Sequence, residues 1–249
     1  MTTAIVIGHS HSAAIAQGLS SERPDVTGIS VYRLEDPKRP YERDVITIRQ
    51  AAAIVRNLHA EAGIFLSALG TYHNIWGLLR AGQNYDFLLS PEDRPDPAAE
   101  VQIPHRVVMS AFEQHIVKPL LVRKVQAFAK SRVFLLSTPP PKQSNEFMLQ
   151  RFMSQKKKTY RGRSVEEIGL ERPETRLKLW KLEACAIQNW AASEGLGFVR
   201  PPAAALDERG FLARQFYSDA THANALYGAL VIDQIRSLVE EARSELANG

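Results

Sequence analysis

Short apolar runs alternate along this chain with longer segments whose apolar residues recur at helical spacing. Five of the runs predict β-strands. They are mostly apolar and do not alternate cleanly with polar residues, which is typical of strands covered on both faces. The five runs are residues 3–8, 27–34, 63–69, 132–138 and 196–201.

The intervening segments predict α-helices at residues 12–19, 44–62, 105–131, 173–195 and 222–247. Pro173 suits a first helical turn, because proline lacks the N–H that such a turn leaves unused. We expect the 105–131 helix to be kinked or broken near Pro119, since an interior proline removes a backbone hydrogen bond.

Strands that alternate with helices predict a parallel sheet joined by right-handed crossovers. The expected fold class is α/β: a three-layer α/β/α arrangement with a five-stranded parallel sheet in flavodoxin-like order. With 249 residues, the chain fits a single domain spanning 1–249. Residues 139–172 are expected to be an insertion near the functional site.

Composition does not change the predicted fold, but it excludes a disulfide-stabilised protein and argues against a membrane protein. The chain has a single cysteine, Cys185, which excludes an internal disulfide and favours a reducing compartment. On its helix, Cys185 is expected to be buried. We see no signal peptide or membrane-spanning run, so we expect a cytoplasmic protein without a membrane partner.

The formal net charge of +4 comes largely from the segment Leu149–Arg163. We interpret this segment, including the Lys156–Lys158 run, as solvated surface rather than as a patch that binds an anionic substrate. No nucleic-acid motif accompanies it, so no nucleic-acid partner is expected.

Polar side chains collect where the predicted strands end, which is the edge at which open α/β sheets bind ligands. Ser10 follows the first strand, and Asp219 and His222 stand three residues apart before the last helix. A serine hydroxyl becomes a useful nucleophile when an imidazole takes its proton and a carboxylate orients that imidazole. Ser10, His222 and Asp219 are therefore the candidate catalytic residues, and the Ser10 N–H is a candidate oxyanion donor.

At these residues the sequence resembles the SGNH (GDSL-type) hydrolases. Their first block, Gly-Asp-Ser after strand one, reads Gly8-His9-Ser10 here, and their last block, Asp-x-x-His, reads Asp219-Ala220-Thr221-His222. The resemblance implies an SGNH hydrolase fold, with Ser10 as nucleophile, His222 as general base and then acid, and Asp219 as its partner.

The middle blocks depart from that family. Its third block, Gly-x-Asn-Asp, holds the oxyanion with an asparagine, whereas strand three is followed here by Gly70-Thr71-Tyr72-His73-Asn74. Either Thr71 supplies a hydroxyl donor or Asn74 supplies an amide one turn later. The second block normally contributes a glycine N–H, and residues 35–44 contain no glycine, so that donor is unassigned.

Three further histidines accompany the site. His9 and His73 are candidate substrate-binding or bracing residues, and His11 either braces the loops around Ser10 or faces solvent from the first helical turn. Histidine is also a common metal ligand, but no carboxylate stands at an obvious ligand spacing. We therefore predict no metal and no cofactor.

The preferred function is an ester hydrolase that acts through an acyl-enzyme on a carbohydrate or small-molecule ester, with a small acyl group such as acetyl. Two alternatives stay open. The first is a non-catalytic protein that binds a glycan or an anionic metabolite through His9, His73 and the basic insertion. The second is an O-acyltransferase that delivers the same acyl group to an alcohol.

Overall fold

The protein is described by a computed structural model that covers residues 2–20, 28–36, 45–80, 82–116, 120–154, 159–160 and 162–247. Six strands form the main sheet: β1 (Ala4–Gly8), β2 (Ile29–Leu34), β3 (Val45–Ile46), β4 (Gly63–Ser67), β7 (Val133–Leu136) and β10 (Gly197–Val199). Their order is β10-β7-β4-β1-β2-β3, and every pairing between them is parallel.

The five predicted strands occupy this sheet in the flavodoxin-like order, so the predicted α/β class and order are confirmed. The expected count of five is wrong, because β3 adds a sixth strand beside β2. Val45 and Ile46 look in the sequence like the start of the following helix. They are not helical, because Thr47 caps the helix that follows. Its side chain accepts from Gln50 N, and the Gln50 side chain accepts from Thr47 N. This capping box starts the helix at Ile48 and leaves the preceding pair extended.

Nine α-helices surround the sheet in the described residues: α1 (Ser12–Ser20), α2 (Ile48–Arg56), α3 (Tyr72–Gly77), α4 (His105–His115), α5 (Leu120–Phe128), α6 (Asn145–Ser154), α7 (Val165–Ile168), α8 (Pro173–Ser193) and α9 (Ala225–Ala247). The described residues also contain two 3-10 helices, Ala203–Ala205 and Arg214–Phe216, and two small two-stranded sheets. In one, β5 (Tyr85–Asp86) pairs with β6 (Val101–Gln102); in the other, β8 (Thr159–Tyr160) pairs with β9 (Arg163–Ser164).

The core lies on both faces of the sheet. Along β1, Ile5 and Ile7 pack into one buried cluster, while Ala4 and Val6 pack into the other. Successive strand residues point to opposite faces, so a strand covered on both sides needs apolar residues at every position. This explains why the sequence shows an unbroken apolar run there.

The predicted helix 105–131 is two helices, α4 and α5, as expected for a break near Pro119. Pro119 itself lies outside the described residues, as do Lys156–Lys158. Cys185 corrects an expectation: it lies on α8, but its side chain is exposed. Helical periodicity places residues on faces and does not say which faces a helix leaves uncovered. No helix in the described ranges is long and apolar enough to cross a bilayer.

The first and last helices pack against each other over much of α1. A Cβ at Gly228 would lie 1.8 Å from the Ala14 carbonyl oxygen, and one at Gly18 would lie 2.4 Å from Ala229 N. Only glycine permits backbones to approach this closely. The contact brings the segment before α1, which holds Ser10, towards the segment before α9, which holds Asp219 and His222.

Candidate active site

Ser10 lies in the turn between β1 and α1, and its side chain is exposed. The turn begins at Gly8, where a Cβ would lie 2.4 Å from the Ser67 carbonyl oxygen at the end of β4. The His9 N–H donates to the same oxygen at 3.1 Å. The helix starts two residues after Ser10, at Ser12, whose hydroxyl is buried and donates to His9 O at 2.6 Å. Ser10 therefore projects from a turn that is held on both sides.

Asp219 and His222 form a hydrogen-bonded pair, with Nδ1 of the imidazole 2.8 Å from Oδ2 of the carboxylate. The other carboxylate oxygen accepts from the N–H groups of Thr221 and His222 at 2.9 and 2.7 Å. Burial by itself would raise the pKa of Asp219, but the hydrogen bonds from the His222 ring and from these backbone groups lower it well below its usual range. The carboxylate thus stays ionised and directs Nε2 of His222 away from itself.

His11 packs against His222, with ring centroids 5.0 Å apart. Its Nδ1 is buried and has no hydrogen-bond partner in the described residues. Burial, reinforced by the neighbouring His222, His73 and Lys142, lowers the pKa of His11 to about 3. Of the two alternatives for His11, the structure favours the ring packed within the site, since the side chain contacts His222. The first turn of α1 is covered by the Asp219–His222 segment, and His11 is a neutral ring at ordinary pH.

The structure places Ser10 and His222 on adjoining segments, joined through the contact between His11 and His222. Among the described residues, the Ser10 hydroxyl makes no hydrogen bond to His222 or to any other group. The His222 and Asp219 side chains are 33% and 38% exposed. The arrangement is open, and the Ser10 and His222 side chains can both be reached from solvent.

The loop after β4 lies beside the Ser10 turn, because Ser67 pairs with Gly8. Gly70 is buried, and its carbonyl accepts from the Thr138 hydroxyl at 2.9 Å. Thr71 is exposed and its hydroxyl does not cap α3, while Asn74 is half-buried in the first turn of that helix. Among the described residues, neither the Thr71 hydroxyl nor the Asn74 side-chain amide has a hydrogen-bond partner, so both remain candidates for a substrate contact.

His73 is buried and held by Glu183 of α8. Nδ1 of the His73 ring lies 2.7 Å from Glu183 Oε2, and the carboxylate also accepts from the backbone N–H groups of Tyr72 and His73 at 2.9 and 3.0 Å. A single carboxylate therefore fixes both the His73 ring and the start of α3. It holds in place the turn that presents Thr71 and Asn74.

The segment 139–143 runs behind His222. Lys142 is almost fully buried and its Nζ donates to the His222 carbonyl at 2.9 Å. Further along the 139–172 region, Glu171 N donates to Leu78 O just after α3. This region thus contacts both the His222 segment and the residues that follow α3.

The sequence analysis did not single out Glu183 or Lys142. A signal for Glu183 was present, since it lies on the α8 face that also carries Leu179 and Ala186, and a carboxylate on an apolar face must find partners. No comparable signal exists for Lys142, which lies in a proline-rich loop. The second-block oxyanion donor was sought in residues 35–44. Of these, Glu35 and Asp36 are described and residues 37–44 lie outside the described residues, so that donor stays unassigned.

No protein-family model and no curated protein matches the sequence. Three solved structures give an overall likeness. A GDSL-like lipase from Bacteroides thetaiotaomicron aligns at 13% identity and a TM-score of 0.47, over 97% of this chain and 89% of that one. The periplasmic domain of a lipopolysaccharide acetyltransferase from Salmonella ser. Paratyphi A aligns at 16% identity and 0.48, over 96% and 84%. A carbohydrate acetylesterase family member from Sinorhizobium meliloti aligns at 9% identity and 0.44, over 97% and 99%. At these identities and TM-scores, the names of the neighbours decide nothing about the reaction of this chain.

Proposed function

We propose that this protein is a serine esterase of the SGNH type that transfers an acyl group from a small-molecule or carbohydrate ester to water. The observation that carries the proposal is the Asp219–His222 pair, joined at 2.8 Å, on the segment that packs against the turn bearing Ser10. A carboxylate-oriented imidazole beside an exposed serine is the arrangement that activates a hydroxyl nucleophile.

In the first half of the proposed reaction, Ser10 Oγ attacks the ester carbonyl carbon and its proton passes to His222 Nε2. Asp219 stabilises the imidazolium that forms. The tetrahedral intermediate carries its negative charge on the former carbonyl oxygen, and the Ser10 N–H with Thr71 or Asn74 would donate to it. The intermediate collapses, the alcohol leaves with the proton from His222, and the acyl group remains on Ser10.

In the second half, water attacks the acyl-enzyme while His222 accepts its proton. Collapse of the second intermediate returns that proton to Ser10 Oγ and releases the carboxylic acid. The Ser10 hydroxyl has no hydrogen-bond acceptor among the described residues, so its side chain must rotate towards His222 when substrate binds. Catalytic hydrogen bonds often tighten only in the substrate complex.

The missing Ser10–His222 hydrogen bond is also the observation that favours a second candidate, a binding protein on the same scaffold. In that case Ser10 and His222 would contact a glycan or metabolite without forming a covalent bond. An acyltransferase would share the first half-reaction, with an alcohol in place of water in the second.

A fluorophosphonate probe tests the proposal. We expect one label on Ser10, located by mass spectrometry, and loss of labelling in Ser10→Ala and His222→Ala. Asp219→Asn should slow labelling by about 10⁴-fold, because the imidazole loses its orienting carboxylate. Ser20→Ala is the matched control, since this exposed serine at the end of α1 donates to Ala16 O at 2.9 Å and does not hold the Ser10 turn.

An aryl acetate assay then measures turnover, with and without added sugars as acceptors. Release of acetate in water supports the esterase, and acetylated sugar supports the transferase. A folded wild-type protein that takes no label on Ser10 would favour the binding protein instead.

A further inference from the structure

A buried lysine lies directly behind the Asp219–His222 pair. Lys142 is 2% exposed, and its ammonium group donates to the backbone carbonyl of His222 at 2.9 Å. The same histidine binds Asp219 through its ring and its N–H. Lys142 thus binds the backbone of the residue whose ring binds Asp219 and serves as the base in the proposed reaction.

Lys142 is itself fixed from behind by a second buried cation. Arg176 of α8 is 1% exposed and donates from one nitrogen to the Lys142 carbonyl at 2.8 Å and from another to the Glu171 carbonyl. The carbonyl oxygens of residues 142 and 171 are therefore held to α8. This ties the position of the lysine to a long helix rather than to a loose loop.

The charged and titratable groups around Lys142 come from three elements. The segment before α9 contributes Asp219, His222 and Tyr217, whose ring centroid lies 5.3 Å from Lys142 Nζ. Helix α8 contributes Arg176, and the turn before α1 contributes His11. Among the described residues, Asp219 supplies a negative charge that raises the pKa of Lys142, against the lowering by burial and by Arg176.

We infer that Lys142 is a positioning residue, whose ammonium group holds the Asp219–His222 segment against the turn bearing Ser10. The inference rests on the proposed function, because it assigns Lys142 a task in that site. Lys142 does not touch the reacting atoms; it acts through the backbone of His222. A charge-assisted hydrogen bond is about twice as strong as a neutral one, so the protonated lysine holds the carbonyl more firmly than the amine does.

This assignment has a consequence for pH. Burial lowers the pKa of Lys142 to about 8, so the ammonium group is present at neutral pH and is lost in mildly alkaline solution. The rate of Ser10 labelling should then fall by about tenfold as the pH rises through 8, because the charge-assisted bond is replaced by a weaker neutral one. An ordinary exposed lysine would lose its proton only near pH ~10.4.

Two measurements test this on the full chain between pH 6.5 and 9.5. The first is the labelling rate of Ser10 by the fluorophosphonate probe. The second is the low-field proton NMR signal of the His222 Nδ1–H bonded to Asp219, which reports the geometry of the pair without requiring activity. We expect both to decline near pH 8 in the wild type. In Lys142→Met both should be weaker at every pH and lack the decline, with labelling slowed by about tenfold to a hundredfold.

Lys178→Met is the matched control, because this lysine is also partly buried and pairs with Asp86 at 2.8 Å away from the His222 segment. It should keep the wild-type profile. A wild-type labelling rate and NMR signal that both stay level to pH 9.5 would overturn the inference, and this result needs no variant if Lys142→Met fails to fold. A decline that persists unchanged in folded Lys142→Met would also overturn it.

The two proposals fail in different ways. If Ser10 takes no label at any pH while the NMR signal still depends on Lys142, the esterase is wrong and the positioning of His222 by Lys142 stands. If Ser10 is labelled at a rate that ignores both pH and Lys142, the esterase stands and the positioning role is wrong.

Discussion

The contact between the first and last helices offers a direct test of how the candidate site is assembled. In Gly228→Ala, the new Cβ would lie 1.8 Å from the Ala14 carbonyl oxygen, whereas ordinary van der Waals contact begins at 3.4 Å. The backbones must therefore separate by about 1.6 Å, the difference between the two distances. Both partners are helix backbone, so no flexible side chain can absorb the change.

The same displacement moves the turn bearing Ser10 away from the segment bearing His222. Misplacement of reacting groups by ~1 Å costs about a hundredfold in rate, so Ser10 labelling should slow by at least that factor. Overpacking of a core costs about 1–3 kcal/mol, and the better helix propensity of alanine returns up to ~1 kcal/mol. We therefore expect a net loss of roughly 0–3 kcal/mol, which lowers the Tm by up to about 12 °C at this chain length.

Gly197→Ala separates the loss of stability from the displacement of the turn bearing Ser10. Its Cβ would lie 2.2 Å from Phe134 Cδ1, so it also crowds the core, but on the edge strand β10 and against a side chain. We expect a comparable drop in Tm, measured by differential scanning calorimetry. Labelling should slow by less than about threefold, which corresponds to a change in activation free energy on the order of RT. If Gly228→Ala labels Ser10 as fast as Gly197→Ala does, the α1–α9 contact does not set the reacting geometry and the reasoning fails.

Three further outcomes follow from the buried and exposed groups. Because the folded-state pKa of Lys142 is lowered to about 8, the unfolded chain binds more protons between pH 8 and ~10.4, so the free energy of unfolding should rise with pH across that window. In urea titrations, the free energy of unfolding of the wild type should rise by about 3 kcal/mol relative to that of Lys142→Met between pH 7 and ~10.4. A difference between the two proteins that stays constant with pH would contradict the lowered pKa. Glu183→Gln should cost about 1–3 kcal/mol in the same titrations, because the Tyr72 N–H, the His73 N–H and the His73 ring cannot all keep an acceptor, and unchanged stability would mean that this carboxylate is dispensable. Cys185 is exposed, so the native protein should consume one equivalent of an aromatic disulfide reagent without denaturant, and a reaction that requires denaturant would show the thiol to be covered.

The parts of the site that the sequence predicted are those with local spacing. Asp219 and His222 are three residues apart, and a turn of that length brings the carboxylate to the imidazole wherever the rest of the chain lies. Gly8 and Ser10 follow an apolar run that is typical of a buried strand, so their place at the end of β1 was predictable. Even the missed strand β3 has a local explanation, since the capping box at Thr47 separates it from α2.

The partners that were missed come from far along the chain. Glu183 meets His73 across 110 residues, and Lys142 meets the His222 carbonyl across 80. Neither pairing follows from periodicity, which places a residue on a face but does not say what covers that face. The misjudged exposure of Cys185 has the same origin.

Apolar spacing, turn chemistry and helix caps act over a few residues, so the sequence alone determined five strands of the main sheet, the longer helices around it, its parallel arrangement and the two ends of the candidate site. Only the tertiary structure decided that α1 and α9 touch at glycines, that His11 lies beneath His222, and that buried charges at positions 142 and 183 hold the two sides of the site. Burial and electrostatic environment depend on which surfaces meet, and that is a property of the packed molecule rather than of any short stretch of it.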